Sequence, residues 1–174
     1  MRSVGGTIAL WCFLANPVLG EMLSDAEVNH LRTEVAAMAT AFEQGDAEAF
    51  IERTHPSVQK LAGGPDAFAE MIRQAVDQLR QTGVKFLSAE MGTPTQTYPA
   101  GDDEVCFVPR VSIMEVQGKK AKSTTFMIAI RRVGDTEWKY IDGAGLRKHP
   151  GLLYQLFPKL ERGISLPPNK IEIL

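Results

Sequence analysis

The order of apolar and polar residues divides the chain into a helical first part and a strand-rich second part. Over residues 28–42 the apolar side chains recur at steps of three and four, which predicts one buried stripe along a first helix. Ser24 and Glu27 have the spacing of a capping box, so we expect this helix to begin there. Gly45 follows the last apolar position and is expected to end it.

Two more helices are predicted before the first strand. Asp46 can cap a short helix that ends just before Pro56, because a residue that precedes proline is pushed away from helical geometry. A third helix is expected to open at Pro65, since proline is tolerated in a first turn, and to close at Gly83. Three helices thus come before any strand.

From Val84 onward the pattern changes to the alternation of β-strands. Gly118 and Gly134 mark hairpin turns, so consecutive strands should form an antiparallel meander. A short amphipathic helix over residues 150–160 and an extended end follow it. The predicted strands are residues 86–91, 95–98, 105–116, 123–132 and 137–143.

Helices followed by a run of antiparallel strands predict the α+β class. We expect three N-terminal helices packed on one face of a strongly curved antiparallel sheet, which forms a cone-shaped roll, and a short C-terminal helix. A roll of this kind leaves a cavity at its open end, and such cavities are where ligands usually bind. The expected units are a domain over residues 21–149 and a C-terminal helix and extended tail, residues 150–174, packed on that domain.

Residues 1–20 have the order of a signal peptide. Arg2 precedes an apolar run that ends in small residues, so we predict cleavage after Gly20 and export to the periplasm or the medium. An uncleaved membrane anchor is the alternative, but the apolar run is shorter than the about 20 residues that span a bilayer. Cleavage would remove Cys12, leave Cys106 without a disulfide partner, and leave no membrane span.

Charge and motif content exclude several classes of function. The chain has 19 Lys and Arg against 21 Asp and Glu, and the lysines at residues 119–122 fit a solvated hairpin tip, so no nucleic-acid partner is expected. No metal site is expected, because the histidines and cysteines lack partners at ligand spacing. Gly63 and Gly64 are not followed by the Lys-Ser/Thr pair of a phosphate-binding loop. We therefore predict no cofactor.

The element order, together with two sequence pieces, resembles the nuclear transport factor 2-like superfold. The pieces are Ala-Phe-Glu-Gln-Gly-Asp-Ala-Glu-Ala-Phe at residues 41–50 and Trp-Lys-Tyr-Ile-Asp at residues 138–142, and the resemblance covers residues 24–145. The stretch at residues 145–167 is similar to uncharacterised exported bacterial members. The superfold includes ketosteroid isomerases, polyketide cyclases, epoxide hydrolases and domains without a reaction, so the resemblance implies a fold and does not choose a function.

The resemblance to the isomerases does not extend to their catalytic set. Those enzymes use a carboxylate base beside a tyrosine and a second acid. The first helix of this chain has no tyrosine where the family's tyrosine belongs, and offers Met38 and Phe42 instead. This departure from the catalytic set argues against an isomerase function.

The last predicted strand carries the most interesting candidate. Trp138, Tyr140 and Asp142 share one face, so if the aromatic rings line the cavity, Asp142 does too and is a candidate acid or base. In the alternative, which we favour, the rings pack on the helices and Asp142 caps the turn that begins at Gly143. His55, before a proline near the expected cavity mouth, is a candidate base, with helix capping as its alternative.

Two functions follow. The favoured one is a non-catalytic module that holds a small apolar molecule through Tyr98, Trp138, Tyr140 and Glu115, or that binds a protein or forms a homodimer through the outer sheet face. For Glu115, a cross-strand ion pair with Arg131 is the structural alternative. The other function is a small isomerase, cyclase or hydratase that acts on a hydrophobic substrate.

In the enzyme, Asp142 would be the acid/base, assisted by His55 or Tyr98. A cavity that holds Asp142 and a second polar group would favour the enzyme. A cavity plugged by Met and Phe side chains would exclude both ligand-based functions.

Overall fold

The computed structural model describes residues 20–174 of the chain. The predicted signal peptide lies outside these residues, except for Gly20. The elements, in chain order, are α1 (Asp25–Gln44), α2 (Ala47–Arg53), α3 (Pro56–Leu61), α4 (Pro65–Thr82), β1 (Lys85–Met91), β2 (Thr97–Ala100), β3 (Asp103–Val116), β4 (Lys119–Arg132), β5 (Lys139–Asp142), a 3-10 helix (Gly143–Leu146), α5 (Leu152–Leu156) and β6 (Lys170–Ile173).

Helix α1 begins and ends as its sequence predicts. The backbone N–H of Glu27 donates to the Ser24 hydroxyl at 3.3 Å, and the N–H of Ser24 donates to the Glu27 carboxylate at 2.9 Å, which completes the capping box. Gly45 ends the helix in the left-handed region, with φ of 77°. The buried stripe faces the sheet and consists of Leu31, Val35, Met38 and Ala39.

Four helices precede the sheet, where the sequence pattern predicted three. The additional helix is α3, and Pro56 occupies its first turn. His55 caps it, because the ring nitrogen Nδ1 accepts from the backbone N–H of Ser57 at 3.3 Å. A proline stops the preceding helix and is tolerated at the start of the next one, so the breaker that ends α2 also begins α3.

The sheet is antiparallel, has six strands and is not closed. Strands β1, β3, β4 and β5 lie side by side in that order, with β2 paired to β3 and β6 paired to β4. The predicted meander holds from β2 to β5 but not for β1, which pairs with β3 and not with β2. The β3–β4 hairpin turns at Gln117 and Gly118, whose φ angles of 52° and 76° are both left-handed, as in a type I′ turn. This turn places the start of β4 at Lys119, ahead of the predicted start at Ser123.

The end of the chain differs from its prediction. Helix α5 is shorter than the expected residues 150–160. The tail was expected to be extended and packed on the domain, with no strand in it, whereas β6 forms there and pairs with residues 121–124 of β4. Because β5 pairs with residues 127–130 of the same strand, and β3 pairs with its other edge, β5 and β6 lie one after the other along one edge of β4.

Apolar side chains are buried on both faces of the sheet. On the inner face, Cys106, Val108, Met127 and Ala129 pack against α1, α2 and α4. The C-terminal segment covers the outer face, where Leu146, Leu153, Phe157 and Leu160 pack on Phe107, Phe126 and Ile128. No helix within residues 20–174 combines the length and apolar character that a bilayer crossing needs.

Candidate functional site

A cavity lies between the helices and the part of the inner sheet face that continues beyond the core. Its volume is about 240 Å³. Helices α1, α2 and α4 contribute Phe42, Phe50 and Leu79, and strands β1 and β3 contribute Phe86 and Met114. A wider groove between α1 and β1 is more open to solvent. The cavity of about 240 Å³ is the less open of the two and has apolar walls, so it is the stronger candidate for a binding site.

Polar side chains meet in the same cavity. Arg110 and Ser112 come from β3, and Asp142 comes from the end of β5. The Arg110 Nη2 lies 3.4 Å from the Asp142 Oδ2. The Asp142 Oδ1 accepts from the backbone N–H of Ala144 at 2.7 Å, so Asp142 caps the 3-10 helix and lines the cavity at once.

A second guanidinium, that of Arg147, reaches the cavity from the end of the 3-10 helix. Its Nε donates to the Asn169 Oδ1 at 3.1 Å. Asn169 is itself held in place, because its Nδ2 donates to the Gly143 carbonyl at 2.7 Å and its Oδ1 accepts from the Thr125 hydroxyl at 3.3 Å. The tail before β6 therefore fixes the position of Arg147.

Two nitrogen atoms of these arginines are buried without a hydrogen-bond partner in the described part of the chain. They are the Nε of Arg110 and the Nη2 of Arg147. A buried donor on a charged group costs free energy when it is left unpaired, and such groups are rare in native proteins. Both side chains line the cavity, so its walls include two cations whose hydrogen-bonding capacity is not used up by residues 20–174.

The cavity also has an acidic group on α1. Glu43 is exposed and lines the cavity. Partial burial raises the pKa of its carboxyl group, and the nearby charge of Arg110 opposes this rise. Glu43 therefore holds its proton more readily than an ordinary glutamate does.

Asp142 is the one predicted site residue that lines this cavity. His55 lies elsewhere, with its ring 5.9 Å from that of Phe157 and its Nδ1 engaged in the cap of α3. Burial lowers the pKa of His55, and Asp103 opposes the effect. Tyr98 packs on Phe107 of the outer face, with ring centroids 5.5 Å apart.

Trp138 and Tyr140 belong to the core under the helices, as in the favoured alternative. Both side chains are buried, and the Arg131 guanidinium lies 4.3 Å from the centre of a Trp138 ring. They border a separate polar cleft that includes Glu34 and Arg53. Burial raises the pKa of Tyr140 well above its ordinary value of 10.

The expected ion pair between Glu115 and Arg131 is wrong. The register of the hairpin sets Glu115 opposite Lys120 and sets Arg131 opposite Glu104. Arg131 accordingly pairs with Glu104, and Glu115 lies 3.6 Å from the Lys85 Nζ on the neighbouring strand. The sequence alone did not give the register of the β3–β4 hairpin, which the turn at residues 117 and 118 determines.

The two arginines are the residues that sequence reasoning missed. Arg110 had a readable signal, since it continues the inward alternation of Cys106 and Val108 and is a charge directly after two apolar positions. Arg147 had no such signal in the sequence. The position of its side chain depends on Asn169, which lies on a tail whose pairing was not predicted.

Other chemistries have little support. Burial raises the pKa of the Cys106 thiol to about 12, which leaves it protonated and a poor nucleophile. Across residues 20–174, no three His, Cys, Asp or Glu side chains come together as a metal site would require.

No protein-family model matches the chain, and neither the curated proteins nor the solved structures include a significant match. What the site does is therefore argued from its own geometry.

Proposed function

We propose that this protein is a non-catalytic binding module that holds a small molecule in the cavity between its helices and its sheet. We also propose that it is exported and has the strongly curved, cone-shaped roll of the nuclear transport factor 2-like superfold. One observation carries the binding function: a partly enclosed cavity of about 240 Å³ combines apolar walls with the guanidinium groups of Arg110 and Arg147.

The size and lining of the cavity favour a small amphipathic molecule. Its volume of about 240 Å³ lies just below the about 300–1,000 Å³ of typical small-molecule sites, which favours a compact ligand. Phe42, Phe50 and Phe86 can pack on an apolar part, while Arg110 and Arg147 can bind a polar end. The cavity is not plugged, which keeps the ligand-based functions open.

A small isomerase, cyclase or hydratase is the second candidate. The specific observation in its favour is that Asp142 lines the cavity together with other polar groups. We place it second because both oxygens of Asp142 already accept hydrogen bonds, from Ala144 and Arg110. The proposed assistants, His55 and Tyr98, lie outside the cavity.

The two candidates differ in what Asp142→Asn does. A binding module should retain neutral ligands in this variant, because asparagine can still accept from Ala144. An enzyme should lose turnover of hydrophobic enones or epoxides in the same variant. Turnover by the wild type that disappears in Asp142→Asn would make the enzyme the correct function.

A homodimer through the outer sheet face remains our proposal for a protein partner. The C-terminal segment covers the part of that face around Phe126 and Ile128. The free part would lie around Val111 and Ile113 of β3, which are half-buried. Light scattering of the purified protein distinguishes a dimer from a monomer, and a monomer at all concentrations would exclude this partner.

Blocking the cavity tests the binding function. Met114 lines the cavity, and its neighbour Ile113 points to the opposite face of β3, so Met114→Trp and Ile113→Trp form a matched pair. Native mass spectrometry after incubation with 1-octanol and with octanoate should detect a one-to-one complex for the wild type and Ile113→Trp. Met114→Trp should form no complex. Equal binding by both variants, or no binding by the wild type, would contradict the proposal.

A further inference from the structure

We propose that the natural ligand is an acid whose carboxylate binds between Arg110 and Arg147 while its apolar part fills the cavity. This inference rests on the proposed binding function and specifies the class of its ligand. The observation behind it is that the two cations of the cavity differ in what neutralises them.

Among the described residues, Arg110 has an acidic partner and Arg147 has none. Asp142 lies within ion-pair distance of Arg110. Arg147 donates to the neutral amide oxygen of Asn169, and no carboxylate within residues 20–174 forms an ion pair with it. A half-buried guanidinium without a counter-charge costs free energy that an anionic ligand would offset.

The two guanidinium groups together suit a carboxylate. Both line the cavity, and within residues 20–174 the Nε of Arg110 and the Nη2 of Arg147 have no hydrogen-bond partner. A carboxylate has two oxygen atoms and can accept from both guanidinium groups through charge-assisted hydrogen bonds. A phosphate dianion fits less well, because Asp142 and Glu43 also line the cavity and would repel a second negative charge.

Asn169 acts as a positioning residue for Arg147. Its three hydrogen bonds tie Arg147 to the carbonyl of Gly143 and to Thr125 of β4. The side chain of Arg147 therefore needs little further ordering when the acid binds, which favours affinity. Ile171, two residues later in the chain, lines the cavity and can contact the apolar part of the ligand.

Three eight-carbon probes separate charge from apolar contact: octanoate, 1-octanol and methyl octanoate. We expect isothermal titration at pH 8 to show octanoate binding about 10- to 100-fold more tightly than the other two, the ratio expected for hydrogen bonds to a charged group. If none of the three binds, the proposed binding function fails. If all three bind equally, that function stands and the acid specificity is wrong.

Variants of opposite expected effect locate the carboxylate. Arg147→Gln should weaken octanoate binding about 10-fold or more and weaken 1-octanol binding far less, because the glutamine amide can still donate to a hydroxyl group but carries no charge. Asp142→Asn removes a competing negative charge and should strengthen octanoate binding about two- to fivefold. Arg132→Gln is the matched control, because Arg132 is exposed on β4 and does not line the cavity.

The Asp142→Asn result keeps the test decisive even if Arg147→Gln fails to fold. Weaker octanoate binding in Asp142→Asn would place the carboxylate away from Arg110 and overturn the assignment. An acid preference that Arg147→Gln leaves intact would do the same, as would equal losses in Arg147→Gln and Arg132→Gln.

Discussion

Replacing Tyr140 with phenylalanine removes one oxygen atom from the core and leaves the ring in place. The side chain is 1% exposed and packs in the inner-face core with Trp138. Its hydroxyl group is buried and has no hydrogen-bond partner within residues 20–174. Folding therefore removes this hydroxyl from water without replacing its hydrogen bonds.

The expected effect of Tyr140→Phe is a gain in stability. Protein mutations put the cost of burying an unpaired hydroxyl group at about 1–3 kcal/mol. Removing the oxygen leaves a small gap near the ring edge, which offsets part of the gain, so we expect about 1 kcal/mol. In a protein of this size each kcal/mol corresponds to about 2–4 °C in Tm.

Urea unfolding followed by tryptophan fluorescence, with a thermal scan, measures this change. Tyr98→Phe is the control, because Tyr98 is half-buried and its hydroxyl is not among the buried unpartnered groups. We expect the control to change the free energy of unfolding by less than about 0.5 kcal/mol. A loss of 1 kcal/mol or more in Tyr140→Phe would mean that the hydroxyl is hydrogen-bonded. Loss of octanoate binding would mean that Tyr140 contacts the ligand.

Three further predictions concern pH, backbone packing and the thiol. The folded-state pKa of His55 lies below its ordinary value of 6.5, so its contribution to stability is complete above pH 6.5 and is lost as the pH falls. In His55→Asn, which keeps a helix cap, the free energy of unfolding in urea should depend less on pH between pH 8 and 5 than in the wild type. Gly143→Ala should lower the free energy of unfolding in urea by about 1–3 kcal/mol, because the added Cβ would lie 2.7 Å from the Phe126 ring. Gly145→Ala is the control, since its Cβ would enter open space and should leave that free energy almost unchanged. Cys106, detected by peptide mass, should react with iodoacetamide at pH 8 only after denaturation, and rapid labelling of the folded protein would contradict its burial.

Local signals predicted the helices and the hairpins well. The capping box at Ser24, the glycines at residues 45 and 83 and the turn at residues 117 and 118 all act through neighbours in the chain, so a single sequence is enough to read them. Helix α3 was missed because Pro56 was interpreted as an end and not also as a beginning.

Features that depend on distant parts of the chain were not predictable. The sequence Lys-Ile-Glu-Ile of β6 does alternate, but its pairing with β4 joins segments far apart in the chain, and a run of four residues does not identify its partner strand. The site depends on that pairing, because Asn169 beside β6 positions Arg147. Asp142 could be singled out from the sequence, since both its capping role and its face on β5 follow from local pattern.

The central claim is that the cavity holds a small acid between two arginines. The most direct test is a crystal structure of the full protein with octanoate. We expect the alkyl chain among Phe42, Phe50 and Phe86, and the carboxylate oxygens within about 3.2 Å of guanidinium nitrogen atoms of Arg110 and Arg147. An empty cavity under saturating octanoate, or an alkyl chain in the cavity with its carboxylate away from both arginines, would contradict the claim.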